Sequence, residues 1–129
     1  MAARGYDTTD LLVDVRGAVA VVKMDCGTPA NVVRPQTFAA LCSTLDALES
    51  DPAVRAVVLG HTGRHFSGGA DFRFLETLKG ASEESVREHI YRHFQGGVRR
   101  LYHFPKPVVA AIGGAAVTVG CEAALACDF

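Results

Sequence analysis

The chain has 129 residues, 49% of them hydrophobic and 21% charged. That length suits one ordinary domain able to bury a core without a disulfide or metal staple, and the composition excludes a disordered chain. Thirteen Lys and Arg against fourteen Asp and Glu leave a formal net charge of -1, so no basic field exists to hold nucleic acid or an anionic membrane surface. The longest apolar run, Val108 to Ile112, is far short of the roughly 20 residues a bilayer span needs. Residues 1–7 lack the apolar core of a signal peptide, so a cytoplasmic location is expected. Cys26, Cys42, Cys121 and Cys127 have no C-x-x-C spacing and are expected as small buried apolar residues in a reducing compartment.

In chain order, Leu11–Val15 and Val19–Met24 are β-branched runs separated by Arg16-Gly17-Ala18, the pattern of a hairpin. Gly27, Pro29, Asn31 and Pro35 break the chain into a loop. A helix is predicted from Pro35 to Glu49, with Phe38, Leu41, Leu45 and Leu48 as its core stripe, stopped at Ser50-Asp51-Pro52. Val54–Leu59 reads as a strand, and Val57-Val58-Leu59, without alternation, as one buried on both faces. After a glycine-rich loop over 60–71, a helical stretch is predicted from Ser82 to Phe104. Glu83 and Glu84 suit the positive end of its dipole, and Arg99 and Arg100 the negative end. Val86, Ile90, Phe94, Val98 and Leu101 form its apolar face, and Gly96-Gly97 interrupts it. Val108–Ile112 is a second wholly apolar strand, entered through Lys106-Pro107 and left through Gly113-Gly114, and an Ala-rich helix runs from Thr118 to the end. A hairpin followed by strands alternating with helices implies an α/β fold whose sheet is partly parallel.

Each buried strand ends in a glycine-rich loop that leads into a helix, the position where open α/β sheets hold ligands. Neither loop fits a P-loop or G-x-G-x-x-G, and no G-x-S-x-G elbow makes Ser67 a strong nucleophile. Two loops rich in backbone donors suit stabilisation of an anion or oxyanion; the alternative is that both are tight turns that serve packing. Glu122 lies in an otherwise apolar helical segment. If buried there, desolvation raises its pKa toward general acid–base use; otherwise it complements the helix dipole at the surface. His89 and His93, at i and i+4, lack a third ligand and read as solvated helix-face residues rather than a metal site. No role is assignable to Tyr102 or His103.

The segment from His65 through Phe66-Ser67-Gly68-Gly69-Ala70-Asp71 to Leu75 resembles the F-[SA]-[AG]-G-A-D-[LI] loop of the crotonase, or enoyl-CoA hydratase/isomerase, family. Lys106 to Asp128 resembles that family's K-P-[VI]-[IV]-A-A-[VI]-N-G…G-G-G-x-E-L-A-x-x-C-D segment, and the Ala30-Asn31 loop and Asp51–Leu59 match in order and spacing. The resemblance implies an α/β spiral of ββα units (the ClpP/crotonase type). It makes residues 1–129 the N-terminal part of a single crotonase-like domain, ending before the C-terminal helical region.

It further implies an enoyl-CoA hydratase-like lyase of fatty-acid metabolism that adds water across the α,β double bond of an acyl-CoA thioester. No metal or redox cofactor is implied, coenzyme A entering only as part of the substrate. The enolate would be held by the backbone N–H groups of Gly68 and Val119, with Glu122 as the first catalytic carboxylate and its partner farther along than Phe129. Gly69, Ala70 and Asp71 would line the CoA side, Asp71 also serving as a helix N-cap. Arg99, Arg100 and Lys106 are open to a role at CoA phosphates or to a plain helix-end role. Thr118-Val119 replaces the family's Gly-Gly and Gly113 its Asn. Other reactions of the family (isomerase, hydrolase, decarboxylase) and a catalytically silent acyl-CoA-binding subunit are the alternatives, and the family implies a homotrimer or hexamer.

Overall fold

A computed structural model describes residues 5–129; residues 1–4, on which part of the leader reading rests, lie outside the described residues. β1 (Leu11–Arg16) and β2 (Val19–Met24) form the expected hairpin, with Arg16 opposite Val19 and the two-residue turn taken by Gly17, at φ +61°, and Ala18. β3 (Ala56–His61) and β4 (Val108–Ala110) add in parallel, giving the order β1-β2-β3-β4.

α1 (Pro35–Ser50) starts on a proline whose missing N–H costs nothing at a first turn. Arg34 and Thr37 close a reciprocal cap at its start, and the Asp10 carboxylate accepts from both side chains. The stripe Phe38, Leu41, Leu45 and Leu48 is buried as expected, in one core with Leu11, Ala20, Val22, Met24, Val57, Leu59 and Val108 from the sheet. At its other end, Lys106 Nζ donates to the carbonyls of Leu48 and Asp51 at 2.6 and 2.8 Å, capping α1 rather than reaching toward a ligand. Arg100 pairs with Asp46 and Glu49 and lies over the Phe104 ring. Both side chains therefore tie α1 to the segment before β4.

The expectation of strands buried on both faces does not hold. β3 alternates, with Val57 and Leu59 buried and Val58 half-buried, while Val109 is 39% and Ile112 48% exposed. The helices reach only one side of the sheet, and among the described residues nothing covers the other.

The long helical stretch has an internal change of pitch. α2 (Phe72–Thr77) precedes α3 (Glu83–Ile90), which Ser82 caps through its hydroxyl to Ser85 N–H at 3.1 Å. α3 runs into a π-helical turn (Tyr91–Gln95) and then α4 (Gly96–Tyr102). Gly97 is where α4 meets α1: a Cβ there would stand 2.5 Å from Phe38. His89 and His93 are half-buried rather than fully solvated; they stack on each other, and both lie edge-on to Phe74. Among the described residues no cluster of three or more His, Cys, Asp or Glu could hold a metal, and no helix is long and apolar enough to cross a membrane. Cys26 is buried, the other cysteines half-buried, and burial pushes the thiols of Cys26 and Cys127 up to about 11.

α5 (Val119–Leu125) is shorter than the expected helix to the end. Asp128 and Phe129 turn back beside β4, where Asp128 N–H donates to the Val108 carbonyl at 2.9 Å and Ala110 N–H to that of Phe129 at 2.8 Å.

Buried Asn31, at φ +47°, fastens the loop before α1 to the loop after β3. Its Oδ1 accepts from Cys26 N–H at 3.1 Å, and its Nδ2 donates to the carbonyls of Thr62 and His65 at 2.6 and 3.0 Å. Asn31→Ala strips the buried Cys26 N–H and the half-buried His65 carbonyl of this partner, leaves the Thr62 carbonyl only its contact with His61 Nδ1, and puts Ala in a left-handed conformation. Stability is expected to fall by about 2–4 kcal/mol, read as a lower urea midpoint; an unchanged midpoint would show that Asn31 carries no such fastening.

Candidate active site

The two glycine-rich loops lie side by side. Ser67 bridges Ala116 in parallel fashion, its N–H donating to the Ala115 carbonyl at 3.1 Å and its carbonyl accepting from Val117 N–H at 2.9 Å. Ser67 is fully buried and its Oγ accepts from Gly69 N–H at 3.0 Å, so the hydroxyl is structural. His61 Nε2 accepts from Gly113 N–H at 2.9 Å and His65 Nδ1 from Ala115 N–H at 3.3 Å, so the first loop also holds the second by two imidazoles. A Cβ at position 113 would stand 3.0 Å from His61 Nε2, which is why glycine fits where the family pattern has Asn.

Which N–H groups are free follows from these pairings. Gly68, expected as the first oxyanion donor, has its N–H spent on the Ala30 carbonyl at 2.6 Å. Val33 donates to the Gly69 carbonyl and accepts from Asp71 N–H, so the peptide between them turns its other edge outward and Ala70 N–H has no acceptor among the described residues. Val119, the first residue of α5, likewise has a free N–H, as a helix N-terminus requires.

Each free donor follows a left-handed residue, Gly69 at φ +93° before Ala70 and Thr118 at φ +46° before Val119. Thr118, with ψ -120°, occupies the first central position of a type II′ turn from Val117 to Gly120, closed by Gly120 N–H to the Val117 carbonyl at 2.9 Å. That conformation suits glycine, and a β-branched residue is strained there.

Both residues that carry these donors line one cavity of about 380 Å³, whose wall is formed by Gly68, Ala70, Phe72, Leu75, Ile90, Phe94, Gln95, Val117, Thr118, Val119 and Glu122. Its walls are mostly apolar, with two unspent donors and one carboxylate among them, which is the make-up of a small-molecule site. An open groove of about 450 Å³ beside Glu49, Arg55 and Lys106 is larger, but Lys106 there is already committed to capping α1. Of the expected site residues, Gly68, Ala70, Val119 and Glu122 come together in the cavity wall. Gly69 and Asp71 do not line it: Gly69 backs the turn, and the Asp71 carboxylate caps α2 by accepting from Arg73 N–H at 3.0 Å.

Glu122 is exposed at the cavity, so of the two placements its sequence position allows the desolvated one is not adopted; the apolar side of α5 that packs inward is Val119 and Ala123. Its Oε2 accepts from Gln95 Nε2 at 2.9 Å. Sequence reading passed over Gln95, as it did Phe72 and Leu75; the signal nearest to it was the Gly96-Gly97 interruption.

The family model for enoyl-CoA hydratase/isomerase matches residues 14–129. A Thermus thermophilus protein, provisionally named as an enoyl-CoA hydratase, is 46% identical over 117 residues, covering 88% of this chain and 45% of its own length. A crystal structure of a Legionella pneumophila protein, provisionally titled enoyl-CoA hydratase/isomerase (crotonase), superposes with a TM-score of 0.85 at 30% identity, over 93% of this chain and 46% of the other. That of enoyl-CoA hydratase from Bacillus anthracis gives 0.80 at 30% identity over 93% and 46%. The chain thus spans about half the length of the relatives it matches. The fold is that of the crotonases, and the chain belongs to the enoyl-CoA hydratase/isomerase family.

Proposed function

We propose that the protein carrying this chain adds water across the α,β double bond of an acyl-CoA thioester. The observation that supports this most is the pair of unspent N–H groups, Ala70 and Val119, on the same apolar cavity as Glu122. In the reaction the thioester carbonyl oxygen sits between the two donors. Water attacks the β-carbon, Glu122 takes its proton, and the electron pair moves through the α-carbon onto that oxygen as an enolate. Two fixed donors favour this charge over the neutral carbonyl. The enolate then collapses and takes a proton at the α-carbon, so one water is added and no electrons are exchanged. The chemistry therefore asks for no redox cofactor. A second carboxylate, which the resemblance places beyond Phe129, would complete the pair that positions the water. The family resemblance also supports assembly as a trimer or hexamer.

The test is the loss of the conjugated-thioester absorbance when the natural-length protein meets a crotonyl-type CoA thioester. Turnover with water incorporated at the β-carbon is expected; binding without any turnover would overturn the reading. That second outcome describes a silent acyl-CoA-binding subunit, a reading favoured by the branched Val119 side chain in the cavity wall.

A further inference from the structure

We infer that Gln95 is a positioning residue for this reaction, its side-chain amide fixing the direction in which the Glu122 carboxylate faces; the inference rests on Glu122 being the base. Glu122 sits in the first turn of a seven-residue helix with its side chain exposed. A carboxylate so placed can turn freely into water, and a base that must meet one water at one carbon loses rate when it does. The side-chain partner given to it by the fold is Gln95 Nε2, at 2.9 Å, from an element 27 residues away in sequence.

The backbone around Gln95 is built to deliver that amide. Gln95 ends the π-helical turn, whose wider loop is closed by Gly96 N–H to the Tyr91 carbonyl. A π turn carries one residue more than an α turn, which re-aims the residues that follow it, and such turns recur at functional sites. Ile90, just before the turn, and Phe94, within it, line the cavity; after it, Gly97 is pressed on Phe38 of α1 and Leu101 is buried. Gln95 falls at the crossover between these two faces and lines the cavity. Of the glycine pair, position 97 has no room for a Cβ, whereas one at 96 would meet only the Tyr91 carbonyl, at 3.7 Å, so the packing requires glycine at 97 alone. An amide suits the task because it donates a hydrogen bond without adding a charge. A lysine there would pair with the carboxylate and blunt it as a base, and a leucine would leave it unheld.

The test uses the natural-length protein and a crotonyl-type CoA thioester. Gln95→Met keeps the length and removes the donor; kcat is expected to fall about 10-fold with KM within about twofold. In a Glu122→Gln background the same change should add nothing, because a residue acting through another is non-additive with it. Gln95→Glu keeps size and polarity but sets a second carboxylate beside the first. The pair then shares a proton, and the acid limb of the pH–rate profile should move to higher pH by about one unit or more. An unchanged kcat in Gln95→Met, a loss that multiplies in full onto that of Glu122→Gln, or an unmoved acid limb would each overturn the positioning role while leaving the hydratase reading intact. Full activity of Glu122→Gln itself would instead remove the base on which both readings stand.

Discussion

Glu122→Gln is expected to lower kcat for thioester hydration by about 10²–10⁴-fold, the range that a positioned acid–base group contributes. Binding of the thioester should change by less than about threefold. The substitution is nearly isosteric, and Glu122 is exposed, so the fold has little to lose by it. An amide at position 122 can still accept from Gln95 through its oxygen, so the hydrogen bond observed at 2.9 Å survives in kind. What disappears is the capacity to take a proton from water. A fall in kcat with an unchanged thermal midpoint and unchanged thioester affinity isolates that capacity. An unchanged kcat would mean that the carboxylate at the cavity is a solvated first-turn residue that complements the helix dipole, the plainer of the two readings its sequence position allows.

The contrast between these readings shows where sequence information ended. The hairpin, the α1 stripe and the two strand–loop–helix units were legible because each depends on local periodicity and on breakers such as Gly17 and Pro35. Burial of a second sheet face was not, since Val57-Val58-Leu59 reads the same whether or not another layer packs on Val58. The motif over 65–71 located the first glycine-rich loop, yet not which of its N–H groups is left unspent. That choice is made by Ala30 and Val33, whose carbonyls and N–H pair with Gly68, Gly69 and Asp71 across the fold and leave Ala70 free. Gln95 was hidden for a different reason. A glutamine in a helical stretch is ordinarily a surface residue, and only the extra residue in the turn before Gly96 aims it at Glu122. For Lys106 and Arg100 the sequence left a ligand role and a structural role equally readable, and contacts more than 50 residues away in sequence decide for capping and bracing α1.

The tightest point of the site is also its most severe test. Gly69→Ala is expected to cost about 10²-fold or more in kcat, of the order of losing one oxyanion donor, together with about 2–4 kcal/mol of stability. Gly69 is at φ +93°, and a Cβ there would stand 2.1 Å from Thr118 Oγ1 and 3.0 Å from the Val117 carbonyl oxygen. Such a clash must push the two loops apart. Because Ala70 follows Gly69 and Val119 follows Thr118, both donors move with them. Thr118→Gly acts on the same contact from the other side. It removes the hydroxyl and relieves a β-branched residue at φ +46°, ψ -120°; the gain exceeds the unfolded-state entropy that glycine adds, leaving the protein about 0.5–1.5 kcal/mol more stable. In the double variant the 2.1 Å contact no longer exists. Only the left-handed cost at position 69 and the nearness of the Val117 oxygen remain, so Thr118→Gly should restore much of the lost stability and at least about tenfold of the lost kcat. A double-mutant cycle should therefore show a coupling of about 1–3 kcal/mol between positions 69 and 118. Strict additivity would mean that the two turns do not bear on each other in solution. The pairing of Ala70 and Val119 as one oxyanion site would then lose its structural basis.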